Sequence, residues 1–335
     1  MRSQAHAMFH GRLYTLVSAE AAPGDRQSRK IQVMVLFIVV WVIPLLLAGV
    51  WLVRYYTHSA DMMALLYAEH AARDNTELSL RLCAGGRKTV LYGVFSTAEK
   101  VLFRNTTRQQ VQCGFNSNDH STVFVVGAPR TPRENETMRA ESGLYGDVFT
   151  LTCQENMNEG KSYTYFKEAL QQLPCFDFYA KVDDDAVFSP NKLSDSLRSM
   201  PNDTALIIGR RLSMDDCYNW RQLFADWIHY GFRDMSFHWI QHFAAGMLYV
   251  LNAQAVKGWT ELNPLPTQLF GDEDVRTSYY MELVGARAID MHTTFHDPRT
   301  TFHTDICPNI TNASLAAHPY KAAQLLAEAF ASICA

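Results

Sequence analysis

The chain has 335 residues, of which 48% are hydrophobic and 19% charged, a composition ordinary for a folded protein and far from a disordered one. Its formal net charge of −4 leaves no basic footprint, so nucleic acid is excluded as a partner class. The length allows one domain of moderate size or two small ones.

The first segment to depart from the average is 31–53, IQVMVLFIVVWVIPLLLAGVWLV, which carries no formal charge. At ~1.5 Å per residue it would reach ~34 Å as a helix, enough to span a bilayer. A soluble helix of that length would show a polar face, and a cleaved signal peptide has a shorter apolar core of ~7–15 residues. Pro44 is tolerable in a membrane helix. Arg26, Arg29 and Lys30 precede the span and only Arg54 closely follows it, which predicts residues 1–30 in the cytosol and everything after Val53 in a lumen or outside. All seven cysteines (Cys83, Cys113, Cys153, Cys175, Cys217, Cys307 and Cys334) lie after the span, where disulfides persist. So do all five glycosylation sequons, at Asn105, Asn135, Asn202, Asn309 and Asn312. An odd number of cysteines leaves at least one thiol free or paired between chains, and the spacing does not give the pairing. The expected organisation is a cytosolic tail (1–30), a signal-anchor (31–53), a luminal stem (54–84) and a luminal domain (85–335). The stem has no glycine or proline and is rich in Ala, Leu and Met, so it reads as a helical spacer.

The luminal domain alternates. TVLYGVF (89–95) reads as a strand, 97–112 as a charged helical stretch, and STVFVVG (121–127) as a buried strand. MRAESGLYG (138–146) is a short helix or loop, followed by a strand at 147–153 and a helix at 161–173. FDFYAKV (176–182) is a strand that runs into Asp183, Asp184 and Asp185. NKLSDSLRSM is a helix, 204–211 and 244–252 are strands, and 272–285 is an amphipathic helix with Val275, Tyr279 and Leu283 at four-residue spacing. This alternation predicts an α/β sheet, largely parallel in its N-terminal half, with ligands at the carboxyl ends of its strands.

Two acidic clusters stand out. If 176–182 is extended, Asp183 and Asp185 point to one side and Asp184 to the other. Paired carboxylates at a strand end suit a hard cation such as Mn²⁺ or Mg²⁺; the plainer reading is a solvated acidic turn. Asp272, Glu273 and Asp274 open a helix, where capping and the helix dipole alone are enough to explain acidic residues. The dipole would lower a carboxylate pKa there and burial would raise it. Late histidines (His292, His296, His303 and His318) are individually more often surface or packed residues than ligands.

Taken in order, a single anchor, a stem, VDDD after a strand, AAGMLYVLN and GDEDVRTSYYMELVGA resemble the β-1,3-galactosyltransferase and β-1,3-N-acetylglucosaminyltransferase family, relatives of Fringe of the glycosyltransferase family 31 type. Ser96, Arg104 and Arg108 are similar to the family's opening motif, FVVG to its second strand, 141–147 (ESGLYGD) to its E…Y-x-D motif, and HPYKAAQLL to its terminal helix. The resemblance covers roughly residues 89 to 324 and implies a GT-A fold, a Rossmann-like mixed sheet flanked by helices. It further implies that Asp185, Asp183 and His318 hold Mn²⁺ or Mg²⁺, that Asp183, Asp184, Arg104 and Arg108 hold the nucleotide end of the donor, and that Asp274 is the general base. The activity so implied is inverting transfer of galactose or N-acetylglucosamine from a UDP-sugar to a glycan on a glycoprotein or glycolipid, at a Golgi membrane, in glycoprotein or glycosylphosphatidylinositol glycan synthesis. Cys153 where the family has an aspartate, and AAG for GGG, resemble a divergent branch similar to trypanosomatid enzymes. These departures bear on substrate identity more than on reaction class. The competing expectation is a catalytically inactive, membrane-anchored glycan-binding or assembly protein with the same fold. A phosphotransferase finds no support, since there is no GxxxxGK[ST] loop and no kinase motif.

Overall fold

Strand β1 (Lys88–Phe95) lies at the middle of the sequence-early half of a sheet, with β2 (His120–Ala128) on one side and β4 (Phe176–Asp183) on the other, both parallel to it. The computed structural model describes residues 34–109, 117–213, 240–296, 314–317 and 323–334. Strand β3 (Val148–Gln154) extends the parallel set beyond β2. Beyond β4 the direction changes: β7 (His242–Asn252) is antiparallel to β4 and to β6 (Leu206–Ser213), and β8 (Arg287–Asp290) pairs parallel to β6. The order is β3-β2-β1-β4-β7-β6-β8, a mixed α/β sheet with its parallel half first, as the alternation predicts.

Helices cover both faces, and strand periodicity decides which residue goes where. Tyr92, Val94, Phe178, Ala180, Val182 and Met247 join a core closed by helix α5 (Pro190–Arg198) and α8 (Ala323–Cys334). Leu91, Tyr179 and Tyr249 face the other way, onto α4 (Lys161–Gln172), α6 (Ala253–Leu262) and α7 (Glu273–Leu283), through Tyr165, Phe166, Trp259 and Tyr280. Helix α2 (Val101–Gln109) follows β1. Helix α3 (Pro132–Tyr145) is longer than expected. Thr131 caps it by accepting from the Glu134 amide at 3.1 Å, Pro132 opens it, and Gly146 ends it at φ 61°, a left-handed turn suited to glycine. Helix α6 was not apparent from the sequence; Asn252 caps it, its side chain accepting from the Ala255 amide at 3.0 Å. A small second sheet joins β5 (Val187–Phe188), β10 (Ala316–Ala317) and β9 (Phe295–His296), with β10 antiparallel to β5.

Contact density divides the chain into two units, residues 1–63 and 64–335. In the first, Met34–Phe37 is helical, Ile38–Val42 is a π-helical turn, and helix α1 (Ile43–Cys83) begins thereafter. The Ile43 amide bonds to Ile38 O, an i→i+5 step just before Pro44. A proline ring collides with the carbonyl four residues earlier, and the wider turn relieves that. Among the described residues no helix is long and apolar enough to cross a membrane; residues 31–33 of the expected span lie outside them. Within the second unit, the end of α1 is held on the domain. Asn75 Nδ2 donates to Thr150 O at 2.9 Å, Ser79 Oγ donates to Gln172 O at 2.5 Å, Leu78 is buried, and Cys83 is disulfide-bonded to Cys175. Cys153 carries a free thiol, which burial pushes up to about 11.

Candidate active site

The carboxyl ends of β1, β3 and β4 open into a cleft of about 540 Å³, where a sheet of this kind places its ligands. Its lining includes Ser96 and Thr97 after β1, Glu155 after β3, Lys161 at the start of α4, and Asp183, Asp184 and Asp185. Asp184 and Asp185 are buried and Asp183 half-buried. Strand β4 ends at Asp183, and Asp184 and Asp185 lie in the turn after it, so the expected alternation does not run through the triplet as strand. Asp184 Oδ1 accepts from Lys100 Nζ at 2.6 Å, whereas Asp183 Oδ1 accepts from Lys181 Nζ at 2.6 Å. Burial raises the Asp184 pKa, and Lys100 only partly opposes this. Across the cleft Lys161 is buried. Its ammonium donates to both Glu155 oxygens, at 2.6 and 2.9 Å, and to Ser96 O at 2.7 Å, and burial still lowers its pKa despite Glu155.

The second acidic cluster is joined to the first through Lys181. Its Nζ also lies 2.7 Å from Glu273 Oε1 and donates to the Gly246 carbonyl on β7. Burial opposes the charge on Lys181, but Asp183 and Glu273 outweigh it and raise the pKa. Glu273 Oε2 accepts from Ser162 Oγ at 2.6 Å and from the Tyr249 hydroxyl at 2.8 Å. Asp274 is held by backbone: Oδ2 accepts from the Gly246 amide and Oδ1 from its neighbour Val275, both at 2.9 Å. Gly246 permits this approach, because an added Cβ would stand 3.0 Å from Asp274 Oδ2. Burial, then the charge of Glu273, raises the Asp274 pKa to about 7, with Lys181 opposing. Of the two effects expected at this helix start, burial prevails over the dipole.

The remaining candidates fall elsewhere. Arg104 is fully buried. Its Nε and Nη2 donate to Glu141 at 2.8 and 2.7 Å, and Nη1 donates to Ser96 Oγ at 3.1 Å and to the Thr97 carbonyl. Arg108 donates to Asp147 at 2.8 and 2.7 Å, lies 2.7 Å from Glu141, and has its guanidinium 4.6 Å from the Phe124 ring centroid and 4.0 Å from that of Tyr145. As placed, both arginines brace the wall behind the cleft and do not line it. The two arginines outweigh burial and lower the Glu141 pKa. Among the sequons, Asn202 is exposed and Asn135 half-buried on α3, while Asn105 sits in α2 with its Oδ1 accepting from Arg108 at 3.0 Å and Thr107 buried. Asn309, Asn312 and His318 lie outside the described residues. The chain does leave β10 at Ala317, which pairs with Val187, two residues past Asp185.

Among the described residues no three His, Cys, Asp or Glu side chains are gathered closely enough to hold a metal. The donor chemistry nevertheless fits a hard cation. The cleft presents carboxylate oxygens, and Asp184 Oδ2 is buried with no hydrogen-bond partner. Lys100, Lys161, Lys181, Glu155 and Gly246 were not singled out from the sequence. For Lys181 the signal was there, since a residue two before Asp183 on a strand shares its face.

A model of the family described as Galactosyltransferase matches residues 102–292, more than half of the chain. The chain belongs to the galactosyltransferase family. It is 31% identical over 135 residues to the beta-1,3-galactosyltransferase pvg3 of Schizosaccharomyces pombe, covering 39% of this chain and 35% of that one. It is 24% identical over 211 residues to the probable beta-1,3-galactosyltransferase 13 of Arabidopsis thaliana, covering 60% and 59%. The chain thus spans less than two thirds of the length of either relative. The galactosyltransferase LgtC, solved with donor and acceptor sugar analogues, resembles it with a TM-score of 0.39 at 10% identity, over 72% of this chain and 95% of LgtC. The mannosyltransferase PcManGT of Pyrobaculum calidifontis, solved with GDP-Man and Mn²⁺, resembles it with a TM-score of 0.38 at 13% identity, over 69% and 66%.

Proposed function

We propose that this galactosyltransferase-family chain is a metal-dependent inverting hexosyltransferase of GT-A fold. It moves galactose or N-acetylglucosamine from a UDP-sugar to a glycan hydroxyl in β-1,3 linkage. The observation that carries the reading is the pair of acidic clusters: one at the mouth of the parallel sheet, and one whose Asp274 has its pKa raised to about 7, where a general base works well at neutral pH. The two curated relatives, both named as β-1,3-galactosyltransferases, support the reaction class.

Asp183 and Asp185 would hold Mn²⁺ or Mg²⁺, with His318 as a further ligand. The end of β10 beside β5 supports that last assignment. A divalent cation bound there would offset the diphosphate charge and make UDP a better leaving group. Lys161 and Lys100 line the same cleft and supply further positive charge toward a diphosphate. Asp274 takes the proton of the acceptor hydroxyl as its oxygen bonds to the anomeric carbon. The bond from that carbon to the phosphate oxygen breaks, and its electron pair leaves with UDP. Attack from the face opposite UDP turns an α-linked donor into a β-linked product.

The same reading makes the chain a single-pass type II protein of the Golgi membrane. Support comes from the exposed apolar side chains Met34, Val35, Leu36, Phe37, Trp41, Leu45, Leu46 and Leu47, which in water would form a patch needing cover. UDP release from UDP-galactose and UDP-N-acetylglucosamine with Mn²⁺, beside Asp185→Ala, tests the activity. Metal-dependent release that disappears in the variant is expected. A folded chain that releases no UDP from either donor, even with mixed glycan acceptors, would instead be a non-catalytic glycan-binding protein.

A further inference from the structure

Lys181 sits in the sheet with its ammonium buried, a costly place for a point charge unless every proton finds an acceptor. Lys181 has three partners: it donates to Asp183 Oδ1 at 2.6 Å and to the Gly246 carbonyl, and it forms an ion pair with Glu273 Oε1 at 2.7 Å. Each belongs to a different piece of the site: Asp183 closes β4, Glu273 opens α7, and Gly246 is the β7 residue whose amide holds Asp274. The side chain lies against Phe95 and Tyr249, its nitrogen 5.7 and 5.8 Å from the two ring centroids, so aromatic walls shield the junction from water.

We propose that Lys181 is the positioning residue of the active site, fixing Asp274 relative to the acidic strand end. This rests on the transferase reading above, and Lys181 itself touches neither donor nor acceptor in that scheme. The argument is geometric. The Asp274 oxygens are set by backbone, through the Gly246 and Val275 amides. The Gly246 peptide is in turn tied on its carbonyl side to Lys181, and α7 is tied through Glu273 to the same nitrogen. Glu273 cannot turn toward substrate without giving up Ser162, Tyr249 and Lys181 together, so it serves as an anchor for the helix and leaves the base role to Asp274. Releasing Lys181 unties both the strand and the helix that aim the base. A displacement of about 1 Å at such a base is worth ~10²-fold in rate.

The test uses the full chain with Lys181→Met/Glu273→Gln, which removes the ammonium and one of its partner charges together and so avoids a stranded buried carboxylate at Glu273. Folding is read by thermal melting, Mn²⁺–UDP affinity by calorimetry, and turnover by UDP release with acceptor. The expected result is a folded protein whose Mn²⁺–UDP affinity stays within a few-fold of the parent while kcat falls ~10²-fold, the loss attributable to misplacement of the base. A merely structural lysine would lower melting temperature and leave the kcat of the folded fraction unchanged, and that result overturns the proposal. So does a parallel loss of Mn²⁺–UDP affinity and kcat, which would make Lys181 a support of the acidic strand end alone. If the double variant does not fold, Lys181→Arg keeps the buried charge but spreads it over a planar fork that cannot meet the same three partners, and the same two criteria apply. Asp274→Asn is run alongside. If it retains turnover, the base assignment itself is wrong; if it is inactive while the Lys181 variants turn over normally, only the positioning role fails.

Discussion

Asp274→Asn should cost activity and add stability, and the stability gain should depend on pH. The carboxyl group has an ordinary pKa of 3.8 and is raised to about 7 in the folded chain, first by burial and then by Glu273. A carboxyl group with a raised folded pKa holds its proton more tightly folded than unfolded, so stability falls as pH rises from about 4 to about 7. Above that window the carboxylate is charged in both states and the penalty is complete. Three pH units at ~1.4 kcal/mol each set a ceiling of ~4 kcal/mol at pH 8, shrinking to roughly a third of that at pH 5. Asparagine carries no charge and keeps an oxygen for the Gly246 or Val275 amide, so most of the penalty disappears in the variant. Urea unfolding in EDTA at pH 8 and pH 5, beside UDP release with Mn²⁺, checks both halves. The variant should be more stable by ~1–4 kcal/mol at pH 8, by clearly less at pH 5, and inactive at both. Equal or lower stability of the variant at pH 8 would refute the claim that this carboxylate is held against its desolvation cost.

The parent enzyme should show kcat/KM falling below a pH of about 7 as Asp274 takes up its proton, a limb absent from an enzyme whose base is fully exposed. Gly246→Ala places a methyl group 3.0 Å from Asp274 Oδ2 and 3.4 Å from Glu273 Oε1; steady-state kinetics should show kcat falling ~10-fold or more with the melting temperature little changed. Arg104→Met removes a buried partner of Glu141 and should cost ~3–5 kcal/mol in denaturant unfolding, while the folded fraction keeps its UDP affinity because the guanidinium does not line the cleft. Replacing Cys83 and Cys175 together by serine opens a loop with a sequence separation of 92, worth ~4–5 kcal/mol by chain entropy, and differential scanning calorimetry should show a lower melting temperature with the chemistry intact.

Much of this arrangement was legible in the sequence because it is local. The strands at 89–95, 121–127 and 176–182 declare themselves by buried β-branched and aromatic runs, and the structure extends each by a residue or two. Strand period predicts different surroundings for Asp183 and Asp184, and they do have separate partners, Lys181 and Lys100, although the strand ends at Asp183 and the triplet continues as a turn. What could not be read is pairing across the chain. Arg104 and Arg108 stand in a motif with Glu141 and Asp147, yet nothing in the spacing says that these carboxylates consume the guanidinium groups. Nor does any pattern announce β9 and β10, since two-residue strands have no period. Helix α6 could have been found from Asn252, a capping residue standing immediately before AQAVKGWTEL. Strand period puts Lys181 on the face of Asp183, but its other carboxylate partner, Glu273, is far away in sequence and no local pattern places it there.

The pairing of β10 with β5 has a consequence for synthesis of the protein. Strands β1 to β4 and their acidic terminus leave the ribosome early, and their parallel order can be assembled from neighbouring segments. Val187 and Phe188, just past Asp185, wait for Ala316 and Ala317, and Phe188 waits also for Phe330, whose ring centroid ends 6.5 Å from its own. A nascent chain stalled before that point would display an unpaired strand edge and bare aromatic surface next to its most acidic turn. Unpaired strand edges and bare aromatic surface make such a species prone to aggregate, so the late residues protect the early ones by closing over them.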